Sequence, residues 1–462
     1  MTKDELRILL APHGQEHLLA FWNDLTAAQR ENLAGQLTAV DFPRLLATFR
    51  ASRSTENWAE LARRAESPPA IRLADAHRDE ARRAGEEALR GGRIGVVLVA
   101  GGQGTRLGFD HPKGLYSIGP VSGDSLFKIL LEKVLATGRR YGVPLPLYIM
   151  TSDATHDETA AYLDRHERFG LPVGDVMLFR QGTMPAVDAQ TGRLLLAAKD
   201  SLALSPDGHG GMPAALRRSG ALDDIRRRQL DHLFYMQVDN PLVVVCDAEF
   251  IGYHLLAGSE LATQVVAKTA PRDRVGNVVS IDGQVRIIEY SDLPDDAAER
   301  RAADGSLKLW AGNTAIHVVA VDLLDRAGQP GRELPFHLAR KKVPYLNDRG
   351  ELVEPAEANA IKFEQFIFDL LPAARNPLVV EVDEASHFAP VKNAPGAERD
   401  SPEKVQSQMI ALHRRWLEQA GVRVAAGVAV EINPLFALDG GEVADRVRPE
   451  IVVKTPTVFA SR

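Results

Sequence analysis

The feature that most constrains this chain is a change of texture at Arg93. From there six short apolar runs, "IGVVLVA", "LPLYIMTS", "HLFYMQVD", "LATQVVAKT", "TAIHVVAV" and "NPLVVEV", are interleaved with helical segments such as "SLFKILLEKVLATGRRYG" and "DETAAYLDRHERFG". None of the runs alternates polar with apolar residues, which is the pattern of strands covered on both faces. Strands and amphipathic helices in alternation predict an α/β sandwich around a largely parallel sheet. One segment departs from this. In "NVVSIDGQVRIIEY" the pair Asp282-Gly283 separates two alternating runs, which predicts an inserted antiparallel hairpin.

The flanks read differently. Residues 1–92 carry apolar residues at three- and four-residue spacing, as in "GQEHLLAFWNDLTAAQRENLAGQL", and predict an N-terminal helical region that serves as a cap or partner surface. Residues 93–395 form the expected catalytic domain. Residues 396–462, a helix "PEKVQSQMIALHRRWLEQAG" and a β-rich tail, predict a small C-terminal domain. A chain of 462 residues exceeds one ordinary domain, in keeping with that division.

Composition removes several function classes. The net charge of -7 argues against a general nucleic-acid binder, which carries a basic stripe. No apolar run approaches the ~20 residues that span a membrane, and the N-terminus lacks a signal-peptide core. Cys246 stands alone, so neither an intramolecular disulfide nor a cysteine zinc site forms. The histidines follow no HExxH-like pattern. The expected compartment is a reducing cytoplasm.

Chemistry concentrates in "VLVAGGQGTRLGFDHPKG", Val97 to Gly114. Ligands of open α/β sheets bind beyond the carboxyl ends of the strands, and this loop follows the first strand of the α/β region. Gly101, Gly102 and Gly104 can take positive φ and let backbone N–H groups approach an anion, while Arg106 and Lys113 add positive charge. It is not a Walker loop, because the lysine lies in "PKG". Nor is it a dinucleotide fingerprint, because Gly102, Gly104 and Gly108 are one residue too widely spaced. A glycine turn without a ligand is the plain alternative, and two cations in one loop weigh against it.

Taken whole, "AGGQGTRLGFDHPKG" resembles the signature of the eukaryotic-type UDP-sugar pyrophosphorylases, and within them the UDP-N-acetylglucosamine branch. The resemblance continues in order through "RQGTMPA", "SPDGHGGM", "QVDNPLV", "VVSIDGQVRIIEYSDL", "AGNTAIH", "NAIKFEQFIFDLLP", "FAPVKNAPG" and "VEINPL". It implies a GT-A-like, Rossmann-like nucleotidyltransferase core and a uridylyl transfer from UTP to a sugar 1-phosphate.

Matched residue by residue, the resemblance places UTP contacts at Val99, Ala100, Gly101, Gly102, Lys113, Gln181, Gly208, Asp239 and Lys362. Gln181 would read the uracil edge. Asp239, at the carboxyl end of "HLFYMQVD", would hold Mg²⁺ against the triphosphate. Sugar-phosphate contacts fall at His209, Glu289, Tyr290, Asn313 and Lys392. Arg106, Lys113 and Lys392 are the implied catalytic cations. Each has a bland reading when taken alone: a loop glutamine for Gln181, a turn or helix cap for Asp239, a solvated loop charge for Lys392. One position departs from the pattern. The acetylglucosamine members read "DGNGG" where this chain has "DGHGG"; a histidine there is closer to the UDP-glucose and general UDP-sugar enzymes, so the acceptor sugar is less defined than the transfer.

The reaction's demands agree with these residue types. A phosphate monoester has its second pKa near ~6, so the attacking oxygen is ionised at neutral pH and needs no general base. In-line positioning and neutralisation of two repelling anions are what remain. N-acetylglucosamine 1-phosphate is the favoured acceptor, with glucose 1-phosphate or a broad sugar range as the alternative. A catalytically silent UDP-sugar binder and a dinucleotide oxidoreductase are the competing classes. The first would lack Lys113, Asp239 or Lys392, and the second is disfavoured by the glycine spacing.

Overall fold

The computed structural model describes residues 1–51, 58–74, 78–332 and 334–461. Two compact units interleave along the chain. Met1–Trp58, Gln181–Met212 and Glu333–Asp369 form the first, and Ala59–Arg180, Pro213–Arg332 and Leu370–Arg462 form the second.

The second unit is built on a nine-stranded sheet. In chain order its strands are β1 (Ile94–Val99), β2 (Leu147–Thr151), β3 (Val176–Arg180), β4 (His232–Gln237) and β5 (Leu261–Ala267). They continue as β6 (Asn277–Ile281), β7 (Gln284–Ile288), β8 (Ala311–Ala320) and β9 (Leu378–Glu381). All six apolar runs are strands. β3, β2, β1 and β4 lie side by side in parallel. β8 then runs antiparallel between β4 and β5, and β9 is parallel to β5. The sheet is therefore mixed rather than largely parallel. A strand buried on both faces shows no polarity in its sequence, so "TAIHVVAV" reveals a strand but not its direction.

That reversal matters for the site. The first residues of β8 lie at the edge where β1 and β4 end. The expected hairpin, β6 with β7, joins β8 there through Asn277 opposite Gly312. Its turn residues Asp282 (φ 51) and Gly283 (φ 81) take the left-handed conformation that a two-residue hairpin requires.

Helices cover the sheet. Leu126–Tyr141 begins at Ser125, whose Oγ accepts from the Lys128 N–H, and stops at Gly142 (φ 72). It buries Phe127, Leu130, Leu131 and Val134 in a core with Val96, Leu98, Ile149, Phe234 and Met236. Helices Arg78–Arg90 and Ala248–Leu256 touch backbone to backbone. A Cβ on Gly85 would lie 1.8 Å from the Ala248 carbonyl oxygen, and one on Gly252 would lie 1.6 Å from that of Ala81. The chain's last segment, still in this unit, sets helix Pro402–Gln419 against two short parallel strand pairs with their own core of Leu417, Val422, Val430, Ile432 and Val443.

The first unit packs helices Lys3–Leu10, Ala27–Ala39 and Phe42–Ala51 on a three-stranded antiparallel sheet. Leu6, Leu10, Leu33, Phe42 and Leu45 bury against Val187, Leu196 and Phe363. The stretch "GQEHLLAFWNDL" is two short 3₁₀ turns, Glu16–Leu19 and Trp22–Asp24, rather than a continuous helix. Among the described residues no helix is long and apolar enough to cross a membrane.

Candidate active site

In the second unit the end of β1 runs into the glycine loop. The Val99 carbonyl accepts from Val238 N–H (3.0 Å) and Ala100 N–H donates to the Met150 carbonyl (2.8 Å), which holds the exit on the sheet axis. Ser152 Oγ donates to the Gly101 carbonyl (2.7 Å), and Lys113 N–H to the Gly102 carbonyl (3.0 Å). Only Gly108 (φ 68) of the loop's glycines is left-handed, so Gly101, Gly102 and Gly104 are not there for positive φ. At Gly104 the demand is clearance. A Cβ on Gly104 would lie 2.7 Å from the Phe109 carbonyl oxygen, whereas one on Gly102 would meet no atom within 4 Å. The face of Gly102 is open space at the strand edge. Arg106 is exposed and pairs with no carboxylate among the described residues.

Asp239 follows β4 at the same edge. Its Oδ2 is 3.3 Å from Lys113 Nζ, with the two side chains only 13% and 16% exposed. Burial opposes the Asp239 carboxylate, but the Lys113 and Lys392 ammonium groups outweigh it and hold the group below its usual range. Asp239, Lys113 and Lys392 therefore come together. Lys392 is delivered by a clamped segment. Asn240 Nδ2 donates to the His387 carbonyl (2.8 Å) and its Oδ1 accepts from Ala389 N–H (3.0 Å). Val391 N–H donates to the Asp239 carbonyl (2.8 Å), and the Asp400 carbonyl accepts from Lys392 and Asn393 N–H (2.9 and 3.1 Å). Lys392 Nζ stands 5.6 Å from the Phe388 ring centre and makes no ion pair among the described residues.

Glu289 and Asn313 both flank Gly276. A Cβ on Gly276 would lie 3.1 Å from Glu289 Oε1 and 3.6 Å from Asn313 Cβ. Asn313 Oδ1 accepts from Ala315 N–H (3.0 Å) and Thr263 Oγ1 (3.4 Å), which turns its NH₂ into the donor left for a ligand. Ala315 is left-handed (φ 57), at the register shift between β5 and β8. Such a bulge re-aims neighbouring side chains. Tyr290, 48% exposed, follows Glu289 outward.

Gln181, Gly208, His209 and Lys362 belong to the first unit. Asp207 N–H donates to the Gly182 carbonyl (3.0 Å), which brings the Gln181 and Gly208 segments side by side. Gly208 (φ 85) admits no side chain, because its Cβ would lie 2.4 Å from the Gln365 carbonyl oxygen. His209 Nδ1 accepts from Ile367 N–H (3.1 Å), so Nε2 carries the proton of the neutral ring. Burial pushes that imidazole down to about 4, with His337 adding to the shift, and the ring packs on Phe366 and Phe368 at 5.3 and 5.8 Å. The buried Gln181 amide makes no hydrogen bond among the described residues, and Lys362, on strand Ala360–Glu364, makes no ion pair there.

An open glycine edge, an ionised and largely buried carboxylate and two ammonium groups suit a polyphosphate with a hard cation. Residues 42–425 match the family described as UTP–glucose-1-phosphate uridylyltransferase. The chain belongs to that family. It is 36% identical over 442 residues to UDP-N-acetylhexosamine pyrophosphorylase-like protein 1 of Homo sapiens, covering 91% of this chain and 87% of that one. It is 40% identical over 380 residues to UDP-N-acetylglucosamine pyrophosphorylase of Saccharomyces cerevisiae, covering 79% of each. The solved uridine diphosphate N-acetylglucosamine pyrophosphorylase from Trypanosoma brucei superposes with a TM-score of 0.83 at 25% identity over 98% of both chains.

For this member of the uridylyltransferase family two residues around the Asp239–Lys392 cluster escape a reading by motif. Asn240 is adjacent to Asp239, but its double clamp on His387 and Ala389 is a long-range contact. Asp400 sits in "ERDSPE", which reads as a solvated turn. Its carboxyl is raised by burial, with Lys392 working against the shift and Asp239 adding to it, so it faces the same charge cluster.

Proposed function

We propose that the protein transfers uridylyl from UTP to N-acetylglucosamine 1-phosphate, giving UDP-N-acetylglucosamine and pyrophosphate. The observation that carries this reading is the largely buried Asp239 carboxylate, kept ionised between Lys113 and Lys392 beside the open edge at Gly102. The names of the human, yeast and trypanosomal relatives support the acetylated sugar.

An ionised oxygen of the sugar phosphate attacks the α-phosphorus as the bond from that phosphorus to the pyrophosphate oxygen breaks. Lys392 holds the attacking phosphate and Lys113 the departing one, so charge moves from one ammonium toward the other. The glycine loop supplies backbone room, and Arg106 and Lys362 add positive charge to the triphosphate. Gln181 reads the uracil edge. Glu289 accepts from sugar hydroxyls while the Asn313 amide donates to them. Among the described residues no three metal-binding side chains cluster, which fits Mg²⁺ held by Asp239 and otherwise by phosphates and water. When bound, the ion would neutralise triphosphate charge. The lone buried Cys246 fits a cytoplasmic setting.

Glucose 1-phosphate is the second reading, favoured by His209 standing where the acetylglucosamine branch has asparagine. Incubation with UTP, Mg²⁺ and a panel of sugar 1-phosphates, with pyrophosphate and the UDP-sugar both quantified, tests the proposal. Release with the acetylated acceptor supports it; no release with any acceptor refutes it.

A further inference from the structure

Lys133 lies on helix Leu126–Tyr141, and none of the motifs matched to a ligand contains it. Its Nζ donates to the carbonyls of Pro241 (2.7 Å) and Val243 (2.9 Å). These carbonyls belong to the turn that leaves Asp239 and Asn240. Asn240 in turn clamps His387 and Ala389, and accepts from Leu242 N–H (3.2 Å) inside the same turn. Two residues beyond Ala389, Val391 N–H returns to the Asp239 carbonyl (2.8 Å), and Lys392 follows.

We infer that Lys133 is a positioning residue of the transfer site, tying the helix to the turn behind Asp239 and, through Asn240, fixing the separation of Asp239 from Lys392. The inference rests on the proposed roles of those two groups.

Three observations favour positioning over a surface charge. Lys133 has no carboxylate partner among the described residues, and both of its acceptors are main-chain carbonyls of one turn. Burial pushes its ammonium down to about 7, and even a neutral amine keeps two N–H groups for two carbonyls. Finally, Lys133 borders a cavity of about 740 Å³ shared with Tyr141, Met409, His413 and Trp416. The neighbouring cations there are already committed: Arg140 to Asp439 and Glu442, Arg90 to Glu86 and Arg82 to Glu249. The cavity gives a small molecule access to the carbonyls once the lysine side chain is removed.

That access makes a test possible. Lys133→Met keeps the length and packing of the side chain but donates nothing, and Lys133→Ala opens the cavity onto both carbonyls. Loosening a group that orients reacting partners costs about 10–100-fold, so kcat should fall by that factor in both variants. Circular dichroism and KM for UTP should stay near wild type. Propylammonium should restore activity to Lys133→Ala and not to Lys133→Met, whose side chain fills the space. Tetramethylammonium, equal in charge but without an N–H, should restore neither. Wild-type kcat in Lys133→Met overturns the inference. So does a loss in Lys133→Ala that propylammonium leaves unchanged or that both cations relieve alike. If Lys133→Ala does not fold, Lys133→Met alone decides, through kcat against KM. A wild-type enzyme that makes no UDP-sugar would refute the proposed function instead.

Discussion

At Asp239 a largely buried carboxylate stays ionised because two ammonium groups face it. Removing its charge without its shape should expose what it does. Asp239→Asn should raise the Mg²⁺ concentration for half-maximal rate at fixed UTP and lower the maximal rate, since an amide carries no neutralising charge. An unchanged midpoint and rate would reduce the residue to its backbone role, the carbonyl that accepts from Val391. His209 bears on the acceptor. Its Nδ1 accepts from the Ile367 N–H in the fold. Asparagine could keep the Ile367 contact through Oδ1 and present a smaller NH₂. His209→Asn should therefore shift kcat/KM toward N-acetylglucosamine 1-phosphate over glucose 1-phosphate by about 1–3 kcal/mol, roughly 10–200-fold. Equal changes for both acceptors would place specificity at Glu289 and Asn313.

Among elements, helices Arg78–Arg90 and Ala248–Leu256 approach closely, and a Cβ on Gly252 would lie 1.6 Å from the Ala81 carbonyl oxygen. Gly252→Ala must push the helices apart and should cost about 3 kcal/mol or more in denaturant unfolding. Gly35, in helix Ala27–Ala39, has no atom within 4 Å of its would-be Cβ, so Gly35→Ala should instead stabilise by about 0.5–1 kcal/mol. Equal effects of the two would mean the helix contact relaxes freely. Elements were also where the sequence was most legible. Six apolar runs became strands, and Asp282-Gly283 made its hairpin, because both signals are local. The direction of β8 was not legible, although it carries Asn313 to the edge where β1 and β4 end. The loop glycines showed the same limit: their number signalled a close approach, but only the fold shows that Gly104 clears Phe109 rather than turning left-handed. Lys113, Asp239 and Lys392 were readable from motifs, whereas Asn240, Asp400 and Lys133 act through contacts between distant segments.

Across the whole molecule, acid stability follows from buried neutral histidines. Burial pushes His254 down to about 3, with His232 adding, and pushes His413 down to about 3, with Lys133 adding. Unfolded, both titrate near 6.5. Between pH 6.5 and about 3 the unfolded chain binds protons that the folded chain refuses, so stability falls as pH falls through that window. Each histidine contributes a slope of about 1.4 kcal/mol per pH unit. His413→Gln keeps an acceptor for the Ile432 N–H and cannot titrate, so its loss of stability between pH 6 and 4.5 should be shallower by about one proton. Parallel slopes would mean that His413 is protonated in the fold.

In the proposed reaction uridylyl passes directly to the sugar phosphate with no covalent stop on the enzyme. Single turnover with enzyme in excess over α-³²P-labelled UTP tests it most directly. With N-acetylglucosamine 1-phosphate and Mg²⁺ the label should pass into UDP-N-acetylglucosamine in step with pyrophosphate, and none should remain on the protein after denaturation. Label retained on the protein, or stoichiometric pyrophosphate released without an acceptor, would contradict the account.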